Sequence, residues 1–238
     1  MKTKQIEFFN EWAKKYLLNN VPQYIRLVND IHTDTKKIKP RNVFTYADLG
    51  TGTGVMALMA QDYYSASKSV YVYDVSKAML KIVKKRWEEN KFDNKKLHAI
   101  NADFENIKLP INKFDVVYAS FSLHHVPHER KSAIIAKIYQ SLKQNGLFVL
   151  GETMFESQGS VIDIAWIYIK KALNGLMNVG LSQCFKEIGF FFQIIRHDGE
   201  YMATKEMWEK KIFENGFKIL ISKFSNKYLT YGYIISKK

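Results

Sequence analysis

Cysteine, arginine and long apolar runs are scarce in this chain of 238 residues. The single cysteine, Cys184, excludes an internal disulfide and a cysteine-rich metal site, and it suits a reducing compartment. We therefore expect a cytoplasmic protein with no bound metal. The longest apolar run, residues 161–169, contains Asp163 and is far shorter than the roughly 20 residues that span a bilayer. The polar residues 1–11 do not resemble a signal peptide.

The scarcity of arginine also limits what the charge implies. The net charge is +13, and such a basic balance is typical of nucleic-acid binding. However, the chain has 31 lysines and only 5 arginines, and bidentate recognition of phosphates and bases prefers arginine. The lysines often stand in pairs, such as Lys84-Lys85 and Lys210-Lys211, which favours solvated helix faces. Binding to nucleic acid therefore remains an alternative hypothesis and is not the favoured one.

Strand and helix patterns alternate from residue 42 to residue 152. Short apolar strands of this kind, separated by amphipathic helices, indicate a parallel sheet covered on both faces. The pattern predicts strands at 43–49, 69–74, 96–100, 114–120 and 147–151, and helices at 55–64, 77–89 and 129–142. A helix at 204–214 and a hairpin of strands at 217–224 and 228–235 follow.

The predicted fold is α/β: a doubly wound, mostly parallel seven-stranded sheet with an antiparallel C-terminal strand. N-terminal helices and a helical insertion after strand five complete it. We predict a single domain, 1–238, with an N-terminal helical cap (1–41), a core (42–152 and 201–238) and a helical lid (153–200).

Three glycines at every second position follow the first predicted strand: Gly50, Gly52 and Gly54. A triphosphate-binding loop would need a lysine directly after its last glycine, but the next lysine is Lys68. The dinucleotide pattern G-x-G-x-x-G places its third glycine one residue later than this chain does. The loop therefore excludes a nucleoside triphosphatase and disfavours a nicotinamide oxidoreductase.

Two acids flank this loop. Asp48 ends the first predicted strand, and Asp74 ends the second, where an acid can hold two ribose hydroxyls. An acid directly before the glycines is unfavourable beside a pyrophosphate and favourable beside a cation. The pattern therefore predicts a positively charged nucleoside, such as an adenosyl sulfonium with its α-amino group.

The segment DLGTGTG (48–54) resembles motif I of the class I S-adenosylmethionine-dependent methyltransferases. Four further segments resemble later parts of that family in the same order. They are VYVYDVS (70–76), NADFENI (101–107), FDVVYASFSLHHV (114–126) and LKQNGLFVLGE (142–152). The resemblance covers about residues 42–152 and returns at 204–236.

The resemblance implies S-adenosylmethionine as cofactor and S-adenosylhomocysteine as product. It places the methionine part of the cofactor against the glycine loop, its amino group near Asp48, and its ribose on Asp74. Asp103 would accept from the adenine amine, although it could instead cap the turn 103–106. The remaining cofactor residues that it implies are Thr51, Val75, Phe104, Ser120, Phe121 and Tyr16.

Fewer residues indicate where the acceptor of the methyl group would bind and react. His124 or His125 could act as general base, or the pair could form a structural corner. Trp166, Phe185 and Tyr201 are predicted to line an acceptor pocket in the lid, while the lid aromatics could instead pack together or form a homodimer contact. We expect methyl transfer to a small, partly apolar acceptor. The alternatives are a tRNA or RNA methyltransferase and a non-catalytic nucleoside-binding or assembly protein.

Overall fold

An eight-stranded, mostly parallel sheet forms the centre of the fold. The computed structural model describes residues 22–39, 45–155, 161–178, 201–225 and 230–237, with single residues in 6–13 and 180–192. Its strands are β1 (Thr45–Leu49), β2 (Ser69–Asp74), β3 (Leu97–Asn101), β4 (Phe114–Ser120), β5 (Leu142–Phe155), β6 (Ala203–Thr204), β7 (Phe217–Ser225) and β8 (Thr230–Lys237).

The strand order is β3-β2-β1-β4-β5-β8-β7, and the two-residue strand β6 pairs with the end of β5. Strand β8 is antiparallel to both of its neighbours, β5 and β7, and all other pairs are parallel. The order reverses at β1, because β2 lies on one side of it and β4 on the other. Ligands of open α/β sheets bind outside the carboxyl ends of the strands at such a reversal.

Helices cover both faces of this sheet. They are α1 (Pro22–Ile38), α2 (Val55–Tyr63), α3 (Lys77–Glu89), α4 (Lys131–Ser141), α5 (Val161–Asn178) and α6 (Lys205–Glu214). Helix α3 shows how the sequence specifies one of them. The hydroxyl of Ser76 accepts from the backbone N–H of Met79 at 3.1 Å and so caps the first turn, while Val83 and Trp87 are buried on one face.

Alternate residues of the central strands enter two different cores. Val116 and Tyr118 of β4 pack with α1, α2 and α3, whereas Val117 and Ala119 pack with α4 and α6. This arrangement follows from the two-residue period of a strand and explains why β4 is almost continuously apolar.

The structure confirms the predicted fold class and most of its elements. The prediction differed at β5, which begins at Leu142, directly after α4. Asn145, predicted to end a helix, lies within β5 at a φ of 58°, where the pairing of β5 with β4 shifts. Strand β6 was not predicted, because two residues carry no alternation. Of the predicted link between the last two strands, residues 225–227, the positions 226 and 227 lie outside the described residues.

Helix α1 sits on a part of the sheet that lacks side chains. Gly151 of β5 and Gly232 of β8 are direct partners across the two strands. A Cβ atom on Gly151 would lie 3.2 Å from Cδ1 of Ile31 and 3.6 Å from Cδ2 of Leu27, and a Cβ atom on Gly232 would collide with Ile31. The two glycines therefore form the seat of α1. None of the described helices combines the length and the apolar character needed to cross a membrane.

Gly232→Ala should lower the free energy of unfolding by roughly 1–3 kcal/mol, because the added methyl group displaces Ile31 from its seat. Urea denaturation measures the change. Gly189→Ala is the matched control, because a Cβ atom there meets no atom of the described residues within 4 Å. Equal stabilities of the two variants would contradict this account of the α1 seat.

Candidate active site

The loop between β1 and α2 contains three glycines in the left-handed conformation. The φ angle is 68° at Gly50, 53° at Gly52 and 83° at Gly54, a region that other residues rarely adopt. The backbone N–H groups of Gly50 and Thr51 both donate to the carbonyl oxygen of Tyr73, at 2.8 and 3.0 Å. The loop is thereby fixed to the end of β2.

Glycine is favoured at the three positions for different structural reasons. A Cβ atom on Gly50 would collide with the side chain of Ser122, and one on Gly54 would lie 3.0 Å from Cγ2 of Val83. A Cβ atom on Gly52 would meet no atom of the described residues within 4 Å. Packing within the protein thus explains Gly50 and Gly54, whereas the space beside Gly52 is open to a ligand.

Two carboxylates are buried beside the loop. Asp48 accepts from the hydroxyl of Thr51 at 2.7 Å, and Asp74 accepts from the backbone N–H groups of Gly52 and Ser76, each at 2.8 Å. Burial, reinforced by the charge of Asp74, raises the pKa of Asp48 to about 7. Burial raises the pKa of Asp74 to about 6, although these backbone N–H groups oppose the shift. Among the described residues, no cation contributes to either shift, so the site favours a positively charged ligand.

The ends of β2 and β3 bring the predicted adenine residues to this loop. The side chain of Asn101 donates to the backbone carbonyls of Asp74 and Val75, at 3.0 and 2.8 Å. The ring of Phe104 is partly buried, with Cζ 3.3 Å from the position of a Cβ atom on Gly50. Asp103 accepts from the backbone N–H of Asn106 at 2.8 Å, so it caps the turn 103–106. Its contact with adenine remains a prediction.

The chain turns sharply after β4. Ser120 lies at the end of the strand with its hydroxyl buried on the α1 side, and its Oγ has no hydrogen-bond partner among the described residues. Phe121 follows with a φ of 52°, and its N–H donates to the carbonyl of Gly151 at 2.7 Å. This conformation is unfavourable for a residue with a side chain and is typical of functional sites. It directs Ser122 toward Gly50, where the Ser122 hydroxyl donates to the carbonyl of Leu49 at 2.7 Å.

One buried side chain holds the next turn, residues 122–125. Oε1 of Glu152, at the carboxyl end of β5, accepts from the backbone N–H groups of Ser122, Leu123 and His124 at 3.0, 2.6 and 3.2 Å. Oε2 of the same carboxylate lies 2.8 Å from Nδ1 of His124. Glu152 is fully buried, and the His124 side chain is 13% exposed. The imidazole is therefore held at the edge of the site by a carboxylate beneath it.

Two further groups, Lys131 and Tyr201, hold this turn. The buried ammonium group of Lys131 donates to the carbonyl of Leu123 at 2.6 Å and lies 4.9 Å from the centre of the Trp208 ring. The backbone N–H of Tyr201 donates to the carbonyl of His124 at 2.7 Å. The ring of His125 stands 4.0 Å from that of His124.

The predicted lid residues are placed differently from one another. Tyr201 is half-buried and bonded to the His124 turn, whereas Trp166 on α5 and Phe185 are 58% and 67% exposed. The buried face of α5 contacts the residue after Tyr201, because the hydroxyl of Tyr168 lies 3.9 Å from the sulfur of Met202. Tyr16 lies outside the described residues. Asn10, from the N-terminal segment, accepts from the hydroxyl of Ser76 at 2.7 Å, beside Asp74.

Sequence reasoning missed Ser122 and Glu152. Both act through partners far away along the chain: 73 residues separate Ser122 from Leu49, and 28 separate Glu152 from His124. One available signal for Glu152 was an acid directly after the apolar segment LFVLG, at the same sheet edge as Asp48 and Asp74.

The strand order, the glycine loop and the two acids at strand ends are typical of Rossmann-like nucleoside-binding folds. Residues 47–146 match the family model described as a methyltransferase domain. An uncharacterised methyltransferase of Oceanobacillus iheyensis is 24% identical over 156 residues, covering 64% of this chain and 68% of that protein. One from Bacillus cereus is 24% identical over 198 residues, covering 82% and 89%.

The fold is similar to that of the magnesium protoporphyrin IX methyltransferase of Synechocystis, solved with S-adenosylhomocysteine. The TM-score is 0.67, the identity is 17%, and each chain is covered completely. Residues 47–146 thus match a methyltransferase domain, and the fold is similar to that of solved S-adenosylmethionine-dependent methyltransferases.

The residues at the glycine loop fit this cofactor. The two buried carboxylates suit its ammonium and sulfonium charges, and the open space at Gly52 allows its close approach. When bound, S-adenosylmethionine supplies a methyl group on a positively charged sulfur, which a nucleophile displaces in line. The protein contributes position and exclusion of water, which supply much of the rate of such a displacement.

Gly52→Ala should weaken the binding of S-adenosylhomocysteine at least about tenfold, because its methyl group enters the open space beside the loop. Isothermal titration calorimetry measures the affinity. Gly54→Ala is the matched control: it has the same strained backbone region, but its methyl group meets Val83, so it should mainly lower stability. Wild-type affinity in Gly52→Ala would show that the ligand does not approach this glycine.

Asp48→Asn should stabilise the ligand-free protein at pH 8 by roughly 1–3 kcal/mol. In the unfolded chain an aspartate ionises near pH 4, whereas folded Asp48 ionises near pH 7. The unfolded state therefore holds fewer protons between these values, and the free energy of unfolding falls as the pH rises through this window. Asparagine carries no charge, so the advantage of the variant should be larger at pH 8 than at pH 5.

Urea denaturation at both pH values measures this difference. Asp62→Asn, at an exposed acid on α2, is the control for the same change of side chain. The same Asp48→Asn variant should bind S-adenosylhomocysteine, with its α-amino group, more weakly at pH 8. If Asp48→Asn gained no more stability over wild type at pH 8 than at pH 5, Asp48 would not carry a buried charge at pH 8.

Proposed function

We propose that the protein transfers a methyl group from S-adenosylmethionine to a small, partly apolar acceptor, which binds between the 122–125 turn and helix α5. The observation that carries this proposal is a continuous set of contacts from the His124 turn to α5. Tyr201 bonds the carbonyl of His124, and Met202, the next residue, contacts Tyr168 of α5. On this proposal, residues 153–200 form a lid and residues 1–41 a cap on one domain.

The residues around the 122–125 turn support an acceptor of mixed character. Phe121 and Tyr201 are half-buried aromatic residues at this turn, and the ring centres of His124 and His125 lie 4.0 Å apart. Such a site gives an apolar body of the acceptor a wall of rings and gives its reacting group a polar edge. His124 or His125 would take the proton that the acceptor loses.

The cofactor contacts are proposed on the same basis. Asp74 would hold the ribose hydroxyls, Asp48 the α-amino group, and Phe104 and Val75 the faces of adenine. The connections of Asn101 and Gly52 to Asp74 support this arrangement, because they join the ends of β2 and β3 to the glycine loop. Ser120, Thr51 and Asp103 remain predicted neighbours of the cofactor.

The exposed apolar face of α5 supports a homodimer contact through the lid. Trp166, Ile169, Leu173 and Met177 are 47–78% exposed at helical spacing, whereas Tyr168 and Ala172 are buried. Large exposed apolar patches commonly mark protein interfaces. The single cysteine, Cys184, agrees with the proposed cytoplasmic location.

A methyl-transfer screen with radiolabelled S-adenosylmethionine tests the proposed function. The acceptors are a library of small phenols, anilines and thiols with one apolar end, together with an unmodified tRNA transcript. We expect transfer to a member of the small-molecule library and its loss in Asp74→Ala. Transfer only to tRNA would establish the RNA alternative, and cofactor binding without any transfer would favour the non-catalytic alternative.

A further inference from the structure

The carboxyl end of β2 is held by three separate parts of the chain. The N–H of Gly52 in the glycine loop donates to Oδ2 of Asp74 at 2.8 Å, and the amide of Asn101 in β3 donates to the carbonyl of Asp74 at 3.0 Å. The third part is the N-terminal segment, residues 6–13, which reaches the residues after Asp74 through Asn10. The first two parts adjoin the proposed cofactor site, so the third lies at its edge as well.

The hydroxyl of Ser76 connects the N-terminal segment to this strand end. Its Oγ accepts from the N–H of Met79 at 3.1 Å and so caps α3, while its proton is donated to Oδ1 of Asn10 at 2.7 Å. The backbone N–H of the same serine donates to Oδ1 of Asp74 at 2.8 Å. Asn10 is therefore two hydrogen bonds away from the carboxylate that is proposed to hold the ribose.

The described residues of the N-terminal segment have one face turned toward the body of the protein. Four of its residues are described, and all four are helical. Ile6, Asn10 and Ala13 have the spacing that places residues on one face of a helix. Ala13 is 5% exposed and the other two are half-buried, whereas Glu7 is exposed. The hydrogen bond of Asn10 thus belongs to the docked face of this segment.

We propose that Asn10 is a positioning residue of the cofactor site: through Ser76 it holds the N-terminal segment beside Asp74, so that docking of the segment and binding of the cofactor strengthen each other. The proposal rests on the function proposed above, in which Asp74 holds the ribose, and it deepens that function. The docked segment retains the cofactor, and its release from Ser76 accompanies cofactor exchange.

The coupling follows from the stretch that segment and cofactor share, residues 74–76. A ribose held by Asp74 fixes the carboxylate, the carboxylate fixes the N–H of Ser76, and the hydroxyl of Ser76 is then aimed at Asn10. By thermodynamic linkage, docking strengthens cofactor binding by the same factor by which the cofactor favours docking. A single neutral hydrogen bond supports a factor of roughly three to ten.

Asn10→Leu removes the acceptor of this hydrogen bond and nearly keeps the size of the side chain. It leaves the cap of α3 in place, because the N–H of Met79 still finds Oγ of Ser76. Glu7→Leu is the matched control, because it introduces the same side chain at an exposed position of the same segment.

The rate constant for dissociation of S-adenosylhomocysteine, measured by stopped-flow fluorescence, gives the first readout. Asn10→Leu should raise it roughly three- to tenfold, because contacts that hold a bound ligand act mostly on dissociation. Glu7→Leu should keep the wild-type rate. In a Ser76→Ala background, Asn10→Leu should add no further increase, because Asn10 acts through Ser76. An unchanged rate in Asn10→Leu, or additive increases in the double variant, would overturn the proposal.

Hydrogen exchange of the peptide that covers residues 6–13 gives the second readout, which a purely structural contact would not change with ligand. In the wild type, saturating S-adenosylhomocysteine should slow this exchange by the same three- to tenfold factor. In Asn10→Leu the ligand should give little added protection. Equal exchange of the wild-type peptide with and without ligand would contradict the coupling. That wild-type comparison decides alone if thermal unfolding shows that Asn10→Leu does not fold.

The failure of this proposal and the failure of the proposed function give different results. Methyl transfer tests the function, whereas binding of S-adenosylhomocysteine alone tests the coupling. Binding with the expected rates and protection but without transfer would support the coupling and remove the function. Transfer by the wild type with unchanged dissociation in Asn10→Leu would do the reverse. Absence of binding to the wild type would overturn both.

Discussion

The contact between the backbone of Gly50 and the side chain of Ser122 sets the distance between the two loops that form the site. A Cβ atom on Gly50 would collide with Ser122, so the loop after β1 and the turn after β4 can approach only at a glycine. Ser122 also donates to the carbonyl of Leu49, and its own N–H is held by Glu152. The glycine loop and the 122–125 turn are thus parts of one hydrogen-bonded unit, so backbone geometry can provide the alignment on which an in-line displacement depends.

The two carboxylates next to this contact show that the site is not optimised for the stability of the ligand-free protein. Asp48 and Asp74 are buried with raised pKa values and without a cation among the described residues. A cationic ligand would favour their ionised forms and recover part of that cost on binding. Stability given up in this way is a common property of functional sites.

The parts of the molecule governed by local patterns could be predicted from the sequence. Strand β2, strand β4 and helix α3 have the predicted bounds, because alternation and helical spacing act over a few residues. The glycine loop and the acids at strand ends were recognisable for the same reason. Ser122 and Glu152 were not recognised, because their roles depend on partners brought close only by the order of strands β1, β4 and β5. The exposure of Trp166 likewise depends on how α5 packs, which its own apolar spacing does not specify.

The seat of helix α1 has a consequence for the order in which the chain can fold during synthesis. Helix α1 precedes every described strand, yet half of its seat is Gly232 in β8, about 200 residues later. Strand β8 is also inserted between β5 and β7, so the last of the described strands to be made enters the interior of the sheet. On the ribosome, helix α1 with Leu27 and Ile31 can therefore complete its docking only after β8 has been made. During that interval the nascent protein exposes an open strand edge and a partly unburied helix face, which favours aggregation.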